Sequence, residues 1–290
     1  MCDELTAEDN DRLLASDALT RRRFGVMAGA AGLAALLPAP ADAKDVAGRD
    51  IVIDTPDGKA DAYFVAPTGG KHPGVLVWPD IMGLRPAFRQ MADRLAQSGY
   101  AVLTVNQFYR SAKAPIFSPG ESFDQPAVRE RMGPWRAKLT PDAVVSDSKA
   151  FTAFLDAQPE IDTKRGLGST GYCMGGPMVL RTAAAVPNRV RAGASFHGAA
   201  LVTDAADSPH LLAPRLKGSY LFAIAENDDQ RSPTDKDKLR EAFAAAKVPA
   251  EIEVYAGAMH GWCPPDSRVY NQTQAEKAWS RLLALFGKAL

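Results

Sequence analysis

Cysteine is scarce. The 290 residues hold three, at positions 2, 173 and 263. That is too few, and they are too scattered, for a disulfide scaffold or a cysteine-built zinc site. Charge of one sign is also lacking: 34 Lys+Arg balance 34 Asp+Glu. A nucleic-acid binder would show a basic excess and a solvating tail an acidic one, and neither is present. The extended apolar run, Gly25 to Leu37, has 13 residues, short of the roughly 20 that cross a bilayer as a helix. A stable membrane anchor is therefore not expected. What remains is an ordinary globular composition, 46% hydrophobic and 23% charged, with enough apolar material for one substantial core.

The N-terminal stretch differs from the rest. Thr20-Arg21-Arg22-Arg23-Phe24 precedes the apolar run, and Pro38, Pro40 and the small-residue site Ala41-Asp42-Ala43 follow it. A charged region, a short apolar stretch and an A-x-A site make a secretory signal. The paired arginines resemble the bacterial twin-arginine signal, which implies export machinery as a partner and a folded, periplasmic or secreted product. Cleavage after Ala43 would remove seven acids and four bases, leaving a formal charge of about +3 on residues 44–290. Cys2 lies too far upstream of the apolar run for a lipoprotein anchor.

From Lys44 onward, short apolar runs alternate with longer helical patterns, the mark of an α/β fold with a mostly parallel sheet. Ile51–Ile53 and Ala62–Val65 flank Pro56-Asp57-Gly58 and predict a hairpin. Strands are expected over Gly74–Trp78, Ala101–Val105, Leu167–Gly171, Arg191–Phe196, Tyr220–Ile224 and Ile252–Tyr255. Helical spacing covers Pro86–Gln97, closed by Gly99, then Asp142–Asp156, Gly175–Ala185, Lys236–Ala246 and Gln272–Leu290. Residues 107–140 have no clean period and carry Pro115, Pro119, Pro126 and Pro134. An excursion of that length is expected to cover or line a binding site. Nothing divides residues 44–290, so one domain is expected.

Gly171-Tyr172-Cys173-Met174-Gly175-Gly176 falls between an expected strand and an expected helix. It fits the nucleophile elbow, G-x-nucleophile-x-G, with cysteine in the serine position. The turn is so tight that flanking side chains would clash, which explains the glycines. The sulfur would sit at a helix N-terminus, where the dipole favours thiolate and the Met174 N–H can face an oxyanion. In this fold the acid and then the histidine follow the nucleophile along the chain. His72 precedes Cys173, His197 comes before any acid loop, and His210 sits among polar loop residues. His260, after the last strand, is placed correctly. The acid lies in Glu226-Asn227-Asp228-Asp229; Asp228 is preferred, with Asp229 and Glu226 as alternatives.

These residues, together with Trp78-Pro79-Asp80-Ile81-Met82-Gly83-Leu84 and Gly257-Ala258-Met259-His260-Gly261, resemble the dienelactone hydrolase family over most of residues 50–290. The resemblance implies an α/β-hydrolase fold, a Cys173–His260–Asp228 triad acting on a small ester or lactone through a thioester, and no cofactor or metal. It also implies that Asp80 holds the resting thiol and that the Ile81 N–H joins that of Met174 in the oxyanion hole. The family often has glutamate where Asp80 stands, and Asp80 could equally cap a helix. Members acting on the anionic dienelactone carry an arginine just past the histidine, where this chain reads Trp262-Cys263-Pro264-Pro265. Arg129 and Arg131 are candidate substitutes, and Trp135 and Trp262 suggest a more apolar pocket. Two other readings are a thiol redox protein using Cys173 and Cys263, and a non-catalytic binding protein on the same fold.

Overall fold

The computed structural model describes residues 8–12 and 37–290. The twin-arginine stretch and nearly all of the apolar run lie outside the described residues. Ala41-Asp42-Ala43 is exposed, and the chain then docks through a Lys44 N–H bond to the Gln97 carbonyl, 3.0 Å.

Strands β1 (Val46–Thr55) and β2 (Gly58–Pro67) form the expected hairpin, with Thr55 opposite Gly58 across a two-residue connection. The later strands are β3 (Gly74–Trp78), β4 (Ala101–Val105), β5 (Leu167–Tyr172), β6 (Val190–Phe196), β7 (Ser219–Ala225) and β8 (Ala250–Tyr255). One eight-stranded sheet results, ordered β1-β2-β4-β3-β5-β6-β7-β8. It is parallel from β4 to β8 and antiparallel at the hairpin edge. Central parallel strands are covered on both faces, which is why β3 and β4 read as unbroken apolar runs and are buried at every position.

Period-two alternation sorts these strands between two cores. Val75 and Val77 face the layer of helices α1 (Pro86–Gln97) and α7 (Gln272–Ala289), packing with Phe88, Leu95, Leu282 and Phe286. Leu76 and Trp78 face α3 (Pro141–Asp156), α4 (Gly175–Ala185) and α6 (Asp235–Ala245), packing with Phe151, Leu180 and Phe243. Trp78 also donates its indole N–H to Thr182, 3.0 Å. Helix starts follow local chemistry: Thr140 accepts from the Ala143 N–H and Asn271 from the Gln274 N–H, each at 3.2 Å.

Residues 107–140 hold one element that their irregular pattern hid, helix α2 (Pro126–Ala137). Pro126 occupies the first turn, where a missing N–H costs nothing, and Pro134 falls in the last turn, where few bonds remain to break. The excursion builds a third apolar cluster of Phe108, Ile116, Val128 and Met132 around Ile81. It is tied to the body by Arg110, which bridges Asp147 at 2.7 Å and Asp57. No described helix is long and apolar enough to cross a membrane.

Candidate active site

In an open parallel sheet, functional groups gather where strands end in loops at their carboxyl edge. Five strands contribute here: β3 leads to Asp80 and Ile81, β5 to Cys173, β6 to His197, β7 to Asp228 and β8 to His260.

Cys173 has φ of 54°, the left-handed region that non-glycine residues adopt only where surroundings compel it. The surroundings are visible at two glycines. A Cβ on Gly171 would lie 2.1 Å from the Gly175 carbonyl oxygen, and one on Gly175 would lie 2.3 Å from that of Trp78. Neither position tolerates a side chain, so the strand can pass into α4 through this cramped bend. Met174 stands just before α4, so its N–H has no acceptor one turn back within the helix.

The β7 strand runs into a short helix, α5 (Glu226–Arg231), rather than an open loop. Its residues divide the work. Asp228 Oδ2 accepts from His260 Nδ1 at 2.7 Å, Asn227 Oδ1 accepts from the His260 backbone N–H at 2.8 Å, and Glu226 accepts from the Gly257 N–H. Asp229 turns away to Lys236, 2.7 Å. Of the three acids open to the sequence reading, Asp228 is therefore the one at His260. The bond leaves Nε2 of His260 as the basic nitrogen. His260 is 4% exposed and lines, with Cys173, Asp80 and Ile81, a cavity of about 310 Å³.

The chain that builds this cavity matches a family of known proteins. The dienelactone hydrolase family model matches residues 60–290. A Methylorubrum extorquens protein assigned as a carboxymethylenebutenolidase is 30% identical over 96% of this chain and 97% of its own. The chain belongs to the dienelactone hydrolase family. The carboxymethylenebutenolidase of Rhodococcus opacus is 27% identical over 76% of this chain and 83% of its own. Among solved structures, a Klebsiella pneumoniae protein assigned as a dienelactone hydrolase superposes with a TM-score of 0.71 at 25% identity, covering 84% of this chain and 99% of that one. The chain is accordingly a hydrolase with the α/β-hydrolase fold.

In this dienelactone hydrolase family member, Asp80 engages Arg85 rather than standing alone. Its two oxygens accept from the guanidinium at 2.6 and 2.9 Å, and Oδ1 also accepts from the Met82 N–H at 2.9 Å. Asp266, from the loop after His260, takes the other side of Arg85 at 2.7 and 3.0 Å. The two carboxylates hold the Arg85 guanidinium charged against the pull of burial. Gln107 completes the support, donating to the Asp80 carbonyl at 2.8 Å. This network fixes the loop that carries Ile81.

The two arginines and two tryptophans named from sequence lie outside the cavity lining. Arg129 donates to the Asp124 carbonyl at 2.8 Å, and Arg131 pairs with Glu121. Trp135 packs against the excursion's own cluster. Trp262 is fully buried behind the site, stacked on Tyr255 with centroids 5.4 Å apart. The arginines that do reach the cavity are Arg85 and Arg268. Nothing in their local pattern marked them, because their place depends on loops folding back from distant positions. Among the described residues, no group of three or more His, Cys, Asp or Glu side chains is arranged to hold a metal ion.

His197 is the residue that ordering arguments passed over. Its Nδ1 accepts from the Cys173 backbone N–H at 3.1 Å, and its ring lies edge-on to His260, centroids 5.0 Å apart. Its signal was positional: it ends the strand next to β5. Burial, with His260 nearby, holds its pKa well below the usual 6.5, and a neutral ring is what accepting at Nδ1 requires. The unfolded chain thus binds a proton near pH 6.5 that the fold refuses. Stability is complete above that pH and is lost as pH falls below it, by up to about 1.4 kcal/mol per unit. We expect the urea midpoint to drop between pH 7.5 and 5. His197→Asn, which keeps an acceptor but cannot titrate, should flatten that drop.

Proposed function

We propose that this hydrolase opens ester or lactone bonds of small organic molecules by attack of the Cys173 sulfur on the carbonyl carbon. The observation that carries the proposal is that Cys173 and His260 line one cavity, with His260 fixed on Asp228 at 2.7 Å. His260 Nε2 takes the thiol proton, the sulfur bonds to the carbonyl carbon, and the N–H groups of Ile81 and Met174 stabilise the oxyanion. Collapse expels the alkoxide, which receives the proton from His260, and leaves a thioester. A water molecule, deprotonated by His260, then attacks the thioester and releases the acid and the thiol. Asp228 orients the imidazole and stabilises its protonated form.

A second cavity, of about 290 Å³, adjoins the first at Ile81 and is lined by Leu139, Val144, Met174 and Met178. Its apolar walls favour a substrate with a hydrocarbon part beside the reacting carbonyl. Lactone opening draws support from the names of the relatives, carboxymethylenebutenolidases among them. The catalytic domain in this reading is residues 44–290, preceded by a twin-arginine signal over residues 1–43, so the enzyme works after export. A two-cysteine redox function has less to support it, because Cys263 is a free, buried thiol whose pKa burial pushes well up.

The test is turnover of a panel of p-nitrophenyl esters and unsaturated lactones. It is followed by acid quench and mass spectrometry of the Cys173 peptide. An added mass equal to the acyl group is expected. No turnover across the panel, with tight ligand binding, would favour the binding-protein reading instead.

A further inference from the structure

Residues 8–12, Glu-Asp-Asn-Asp-Arg, form a short helical stretch far upstream of the catalytic domain in sequence, yet they lie at the mouth of the cavity that holds Cys173 and His260. Asn10 is part of the cavity lining. On one side of it Asp9 pairs with Arg231, at the end of α5 and three residues beyond Asp228. On the other, Asp11 pairs with Arg268 at 2.6 Å, and Arg268 also holds Asp124 of the excursion at 2.8 Å. The Asn10 side-chain oxygen is buried and has no hydrogen-bond partner among the described residues.

We propose that residues 8–12 act as an internal strap that closes the catalytic cavity until the N-terminal segment leaves. The inference rests on the hydrolase reading of that cavity and adds a regulation to it. The two ion pairs are at least partly exposed, and such pairs are individually weak. They act here because the covalent tether supplies the strap at an effective concentration that no free peptide would reach. Asn10 forms part of the wall of the cavity that a substrate must enter, and Asp11 holds Arg268, a cation at the same wall. Cleavage after the exposed Ala43 would detach the strap from the domain. An enzyme folded before export would stay closed inside the cell and open outside it.

The test compares the full-length chain with its full-length Asp9→Ala/Asn10→Ala/Asp11→Ala variant, all with reductant present. These substitutions touch no core residue. If about nine molecules in ten are closed, opening lowers KM about tenfold with kcat little changed. Added NaCl should narrow the gap by loosening the strap of the unmodified chain through screening. Labelling of Cys173 by iodoacetamide, read by peptide mass spectrometry, should be faster in the variant. Where both proteins hydrolyse esters, equal kcat/KM overturns the strap while the hydrolase reading stands. Where neither hydrolyses any ester, the labelling decides: faster labelling in the variant supports the strap and removes the ester-opening reading of the cavity, and equal labelling removes both.

Discussion

Exchange of Cys173 for alanine is expected to lower kcat for an activated ester by about 10⁴ to 10⁶, the range seen when single members of a cooperating triad are removed. The reason is structural as much as chemical. The strained backbone at Cys173 and the glycines around it exist to present one side chain at the head of α4, and alanine keeps the bend while deleting the nucleophile. Binding of a non-hydrolysable substrate analogue should therefore survive. Cys173→Ser tests the same point from the other side. It keeps an attacking atom, but a hydroxyl oxygen is a weaker nucleophile than sulfur, so turnover between that of the alanine variant and that of the unmodified protein is expected. A rate unchanged in Cys173→Ala would remove the thioester mechanism.

The second large effect is on stability. Arg85→Ala should cost about 3–5 kcal/mol, because it strips the partner from a buried carboxylate, Asp80, and frees Asp266 as well. For a domain of this size each kcal/mol moves the melting temperature by about 2–4 °C, so a loss of about 6–20 °C is expected by calorimetry. Activity should suffer even at temperatures where the variant stays folded, since Asp80 anchors the turn bearing the Ile81 N–H. The double variant Arg85→Met/Asp80→Leu should recover much of the lost stability, because an apolar pair replaces the buried charged one and leaves unpaired only Asp266, which is partly exposed to water. It should recover little of the activity. A melting temperature for Arg85→Ala within a degree of the unmodified protein would show that the network contributes nothing to folding.

The sheet was legible because it depends on short-range pattern. Runs such as Gly74–Trp78 and Ala101–Val105, separated by helical spacing, allow few arrangements once crossovers are right-handed and short. The elbow was legible for a related reason: its glycines answer to contacts within a few residues of Cys173. What stayed hidden depends on contacts between distant segments. His197 was set aside by its position along the chain, yet the adjacency of β5 and β6 brings its ring to the Cys173 N–H. Arg85 and Asp266 meet across 181 positions, a separation over which no local pattern carries information. Helix α2 was masked by prolines that sit where a helix tolerates them. Arg129, Arg131, Trp135 and Trp262 are the right kinds of side chain near the right stretches, and packing puts them elsewhere. Trp262 shows the limit most clearly. Two residues from His260, it points into the core behind the site, because consecutive loop residues diverge.

The apolar cluster of residues 107–140 sits over Ile81 while sharing no strand with the sheet. The chemistry and the choice of what undergoes it are therefore written in separable stretches of chain. Grafting a different excursion between Arg110 and Thr140, with Gln107 kept for its bond to the Asp80 carbonyl, would exchange the molecules admitted and leave the reactive core as it is.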